Sequence, residues 1–123
     1  MAKSKKKAES PFTGWWKIVS MTEWDQDFVD EEVPGFIEIE AGGMGHFHFG
    51  NVRGNLDARE CLRDGRPAVE FSWEGMDEMD ECSGRGWAVL ENEELHGLIV
   101  FHAGDDSGFV AKKAKAVKRP KRK

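Results

Sequence analysis

The sequence has no tyrosine, and only two cysteines, Cys61 and Cys82, in 123 residues. They do not form a C-x-x-C pair. Placed near opposite ends of one strand, they are expected roughly 25 Å apart, too far to bridge. No apolar run approaches the roughly 18 residues that a membrane span needs. The early lysines are followed by no hydrophobic segment, so no secretory signal is expected. Free thiols without a signal predict a reducing cytoplasm. No helical template of useful length appears. A Gly-x-Ser-x-Gly elbow and a glycine-rich phosphate loop are both missing. Four histidines and many acids are present, but no spacing selects a catalytic dyad. No catalytic residue can be named, and the chain reads as a binding module rather than an enzyme.

What is present is unevenly spread. The body between residues 11 and 111 holds six basic residues against 22 acidic ones, a net charge of −16. Both ends are basic. Residues 1–11 predict a disordered arm closed by Pro11. Residues 112–123 predict a disordered tail carrying Lys112, Lys113, Lys115, Lys118, Arg119, Lys121, Arg122 and Lys123. The domain is residues 12–111.

That domain is a series of short alternating strands punctuated by turns. Phe12–Trp24 comes first, with Trp16 and Ile18 on one face and Lys17 and Val19 on the other. Trp15 then points outward, which predicts a cover from a loop or a partner. The acidic stretch 24–34 predicts a long connection with one helical turn, its Phe28 and Val29 plugging an end of the fold. Phe36–Glu40 turns at Gly42-Gly43 into His46–Phe49, with Phe47 and Phe49 inward. Gly50-Asn51 leads to Val52–Arg59, either as a hairpin or as a bulge in a continuous strand. Asp64-Gly65 leads to Pro67–Gly75, where Val69, Phe71 and Trp73 face in. Residues 76–83 read as an acidic loop, and Gly84–Leu90 is built around Trp87 and Val89. Leu95–His102 is apolar on both faces, with Leu95, Ile99 and Phe101 against Leu98 and Val100. Ala103–Gly108 reads as a polar turn before Phe109-Val110-Ala111. About eight antiparallel strands joined by hairpins predict an all-β, up-and-down meander closing into a small barrel, since closure removes exposed edges. A sandwich is the second choice.

Gly14-Trp15-Trp16 resembles the Gly-x-Trp pattern that opens the first strand of lipocalins and related calycins; avidins and haem-binding nitrobindin-like barrels are similar in outline. The resemblance implies a meandering barrel with Trp16 on its floor. Lipocalins also stack an arginine from the end of the last strand on that tryptophan, whereas here Phe109-Val110-Ala111 is followed by Lys112. Glu70–Gly75 and Gly84–Ala88 also resemble a group of small bacterial proteins of unassigned function, which implies a bacterial source.

Three kinds of site can be named. Trp15, Trp24 and Phe28 around a mouth, with Trp16, Phe47, Phe49, Phe71, Trp73 and Phe101 inside, are candidate contacts for a small apolar ligand or a protein partner. Each is also an ordinary core residue. The basic tail would neutralise phosphates by counterion release, without base selectivity, since no aromatic interleaves its charges. His46-x-His48 puts two imidazoles on one strand face, with Glu38 and Glu40 across the Gly42-Gly43 turn, a zinc-like arrangement. His102 is a candidate haem ligand. Zinc and haem are alternatives only, and no cofactor is expected. The carboxylates of Asp25, Asp27, Asp30 and Glu31, and of Asp77, Glu78, Asp80 and Glu81, fit no EF-hand loop. The exposed Trp15 and the two-sided strand Leu95–Phe101 are compatible with a homodimer and leave the oligomeric state open.

Overall fold

The computed structural model describes residues 10–115. Eight antiparallel strands form one closed barrel, each paired with its neighbours in sequence and the last with the first. They are β1 (Gly14–Met21), β2 (Phe36–Ile39), β3 (Met44–Phe49), β4 (Val52–Arg63), β5 (Arg66–Asp77), β6 (Asp80–Glu91), β7 (Glu94–Phe101) and β8 (Asp106–Ala114). One short helix, α1 (Gln26–Val29), interrupts the β1–β2 connection.

Side chains of alternate strand positions fill the inside, as the period of two requires. Trp16, Ile18, Ile37, Phe47, Phe49, Leu56, Val69, Trp73, Leu95, Ile99 and Phe109 are all buried in one cluster. On β6 the inward positions are Gly86 and Ala88, while Trp87 points out. A side chain at Gly86 would overlap the Phe71 ring and the Leu98 carbonyl, so the bulk of β5 leaves no room for one there. The Leu95, Ile99 and Phe101 side of β7 faces in, with Leu98 and Val100 outside, as the alternation predicts.

Most turns fall where punctuation predicts them. Asp64-Gly65 and Asn92-Glu93 have both residues at positive φ, the twist that two-residue hairpins need. Gly50-Asn51 is a true hairpin, and β3 and β4 pair from Phe49↔Val52 onward. Four expectations are corrected. Residues 76–83 are no loop: β5 and β6 run on to Asp77 and Asp80 around Glu78-Met79. The outward positions of a strand accept carboxylates, and Asn51 ties the tip by bonding Glu78 through both backbone and side chain. The turn after β7 is shorter than expected, because β8 begins at Asp106. Lys112 and Lys113 do not open a tail; they lie in β8 and pair with Lys17 and Trp16 of β1. Cys61 and Cys82 lie on different strands, β4 and β6, opposite Ala68 and Gly75 of the β5 between them. Seven β5 residues, about 23 Å, therefore separate their rows, and the thiols are free.

The helical turn closes one end of the barrel, as expected. Asp25 caps it by accepting from the Phe28 N–H at 3.0 Å, Val29 is fully buried, and the Phe28 ring lies on Gly50, where φ is +55° and any Cβ would strike it. Asp30 anchors this lid. Its carboxylate accepts from the Gly35 N–H at 2.8 Å, from Lys17 Nζ at 3.1 Å and from Gln26 Nε2 at 3.2 Å. Burial alone would raise the Asp30 pKa, but these donors and the Lys17 charge hold it below the usual carboxylate value. A carboxyl depressed in the fold adds stability above its unfolded pKa, and loses it as pH falls through the folded one. Asp30→Asn should therefore cost about 1 kcal/mol near neutral pH. That gap should close on acidification below about pH 4. Urea midpoints of both proteins across the acid range check this, and a gap that ignores pH would refute it.

Candidate functional site

The floor of the barrel is built around Trp16. The Pro11–Phe12 turn brings the Phe12 carbonyl to the indole, which donates to it from Nε1 at 3.0 Å. Trp16 lies opposite Lys113 across the β1–β8 seam, and the Lys113 ammonium sits 4.6 Å from the ring centroid. The same Nζ donates to the Thr13 carbonyl at 3.0 Å. A cation on an aromatic face that also donates to a backbone carbonyl is a favourable arrangement.

The interior candidates come together at the other end, under α1. Trp24 packs on Phe28, Phe49 and Phe101 at centroid distances of 5.9, 5.4 and 6.1 Å. Phe47 meets Phe49 at 5.8 Å and Trp73 at 5.1 Å, and Trp73 meets Phe101 at 5.0 Å. The Trp73 N–H is also satisfied, donating to the Val100 carbonyl at 3.3 Å. Each ring therefore has other rings as its neighbours. Phe71 stays apart from them, beneath Gly86. Trp15 lies on the outer face of β1, stacked on Phe36 at 5.2 Å, so its cover comes from β2 of its own chain.

His46 and His48 share a face of β3 but turn to different partners. His46 lies 3.7 Å from Glu38 across the β2–β3 pair. His48 bonds Glu32 and the Gly50 carbonyl, both at 3.2 Å. Glu40 and His102 are exposed and away from both. Among the described residues no three His, Cys, Asp or Glu side chains converge as metal ligands would. Of the tail cations, Lys112 faces Glu94 at 3.7 Å and Lys113 is held on Trp16. Lys115 is exposed after the last strand. Lys118, Arg119, Lys121, Arg122 and Lys123 lie outside the described residues.

One concavity lies outside the barrel. It has a volume of about 710 Å³ and runs across the outer face from β4 to β8. Its floor is apolar: Trp87 pairs with Leu98, and Val100 lies beside Leu98 on the same face of β7. Arg63 lays its guanidinium 3.9 Å from the centroid of the Trp87 ring. Arg59 and Arg85 complete the basic lining, opposed by Asp57, Glu70 and Asp106. Half of the body's six basic residues thus converge on one groove, in a domain that is otherwise acidic. Of these three arginines, Arg59 alone is tied down by an ion pair among the described residues, to Asp57 at 3.3 Å.

Two features escaped the sequence. Alternation alone puts Trp87 on neither face and in no candidate site, and only the glycines at 84 and 86 signal that it points outward. Lys113 fell beyond the expected end of the last strand, although counting its alternation from Phe109 and Ala111 puts it on their face.

The fold and this geometry define a closed eight-stranded antiparallel barrel with a filled interior and a charged aromatic groove on its outside. No family model matches the chain, and neither a curated protein nor a solved structure matches it.

Two outcomes follow from these contacts. Lys113→Met removes the cation from Trp16 and a donor from Thr13, and should cost about 1–2 kcal/mol in urea denaturation. Lys113→Arg should keep most of that stability; equal losses would refute the contact. Burial pushes the Cys61 thiol up, with Glu70 adding to it, and burial pushes Cys82 up, with Asp77 and Asp80 adding. Both should react with a disulfide reagent near pH 8 more slowly than a free cysteine, and as fast as one only after denaturation.

Proposed function

We propose that the protein is a non-enzymatic binding module of calycin-like outline, working through the outer face of its barrel. The interior is a packed scaffold in this reading. Its rings satisfy one another, and a ligand there would have to displace them. The observation that carries the reading is the groove around Trp87: a half-buried aromatic and two aliphatic side chains set among three arginines, on a domain poor in basic residues. Aromatics and arginines are the residues most often found at the energetic centres of interfaces. The calycin outline rests on the Gly-x-Trp opening and on Lys113, which takes the position over Trp16 that an arginine holds in lipocalins. Two free thiols suit a reducing compartment such as the cytoplasm.

The face fits an apolar surface or molecule of little net charge better than a polyphosphate, because Asp57, Glu70 and Asp106 interleave with the arginines. The test uses an anilinonaphthalene sulfonate, an apolar dye with one anionic group, titrated at high dilution. Dye fluorescence is expected to rise with a single saturable site. That site should survive removal of residues 116–123, weaken at least tenfold in Trp87→Ala, and persist in Phe49→Leu. Dye binding lost in Phe49→Leu and kept in Trp87→Ala would place the ligand inside and refute the reading.

A further inference from the structure

The charges around Val100 are arranged antisymmetrically. On the outer face Arg85 of β6 pairs in register with Val100 of β7, and Val100 pairs with Asp106 of β8. The row therefore reads cation, apolar, anion. Adjacent strands lie about 4.8 Å apart, so the two charges stand near 10 Å from each other with an aliphatic side chain between them. Both are exposed. Neither makes an ion pair among the described residues.

A two-fold axis lying in the contact plane, along β7 over Val100, sets these positions opposite one another in two copies packed face to face. Arg85 of one copy then faces Asp106 of the other, and Asp106 faces Arg85, while Val100 meets Val100 and the Leu98 and Trp87 floor flanks the contact. An isologous interface must complement itself in this way, since both partners offer the same patch. The rest of the body argues for the same face. With six basic and 22 acidic residues between positions 11 and 111, two copies repel each other over most of their surface. In the groove three arginines balance three carboxylates, so a second copy meets no net charge there.

We infer that the outer face of β6–β8 is a two-fold interface between two copies of this chain, centred on Val100 and keyed by reciprocal Arg85–Asp106 pairs. This rests on the reading of the outer face as the working surface, and names its partner.

Sedimentation equilibrium of the full chain at tens of micromolar should give twice the 13.9 kDa chain mass. R85E places two acids opposite each other and D106R places two bases, so each variant alone should be monomeric, with dimerisation weakened on the order of 100-fold. Mixed in equal amounts, the two variants should form a heterodimer, because each restores the opposite charge for the other. The double variant R85E/D106R should dimerise again on its own. Both positions are exposed and make no ion pair among the described residues, and circular dichroism checks that each variant is folded. A dimer that persists in the single variants, or folded variants that stay monomeric when mixed, overturn this interface. A wild type that is monomeric but still binds the dye through Trp87 also overturns it, makes a small apolar anion the occupant, and leaves the outer-face reading standing. A wild type that neither dimerises nor binds the dye overturns both.

Discussion

The seam between β1 and β8 is the constraint on which the rest of the barrel depends. Every other strand pair joins neighbours in the chain, by a short hairpin loop except at the β1–β2 connection that carries α1. The seam alone joins residues nearly a hundred positions apart. Trp16 and Lys113 sit opposite each other there, and their contact ties three segments: the turn before β1, β1 itself and the end of β8. A buried indole without its Phe12 acceptor would leave an unsatisfied N–H, and one without Lys113 would lose the charge that covers its face. Closure in turn decides the interior. Once the ring of strands is complete, one face of every strand must be apolar and its opposite face is free for other uses.

That division explains why a small acidic domain can carry a built surface on its outside. The inside is saturated by aromatic contacts under the lid. Long β4, β5 and β6 extend the outer face and bring Arg59, Arg63, Arg85 and Trp87 into one groove. The lid itself is held from beneath by burial of Val29 and from the side by Asp30. Nothing in this arrangement needs the barrel to open.

Much of the fold was legible in the sequence because it is written in a period of two. Ile37 and Ile39, Phe47 and Phe49, and Val69, Phe71 and Trp73 alternate cleanly, and Asp64-Gly65 and Gly42-Gly43 mark turns. The errors arose where charge and strand coincide. Carboxylates at 77–81 and lysines at 112 and 113 look like loop and tail, yet strand backbone tolerates charge wherever one face is solvated. The site was less legible for a related reason. Alternation places Trp73 and Phe101 inside, but within Gly84–Leu90 it sets Trp87 on neither face. Deciding that case needs the neighbouring strand: the volume of Phe71 makes position 86 a glycine and turns Trp87 outward.

The long reach of the seam also orders events during synthesis. Hairpins from β2 to β7 can form as each strand leaves the ribosome, since their partners are adjacent in the chain. The barrel cannot close until β8 has emerged, so the β1 edge stays unpaired through most of translation, and the β7 edge from its own emergence until β8 arrives. Such edges invite pairing with other chains. Polar and charged residues lie on both: Lys17 and Ser20 on β1, and Glu94 and His96 on β7. Their placement guards a nascent half-barrel in the interval before its last strand arrives.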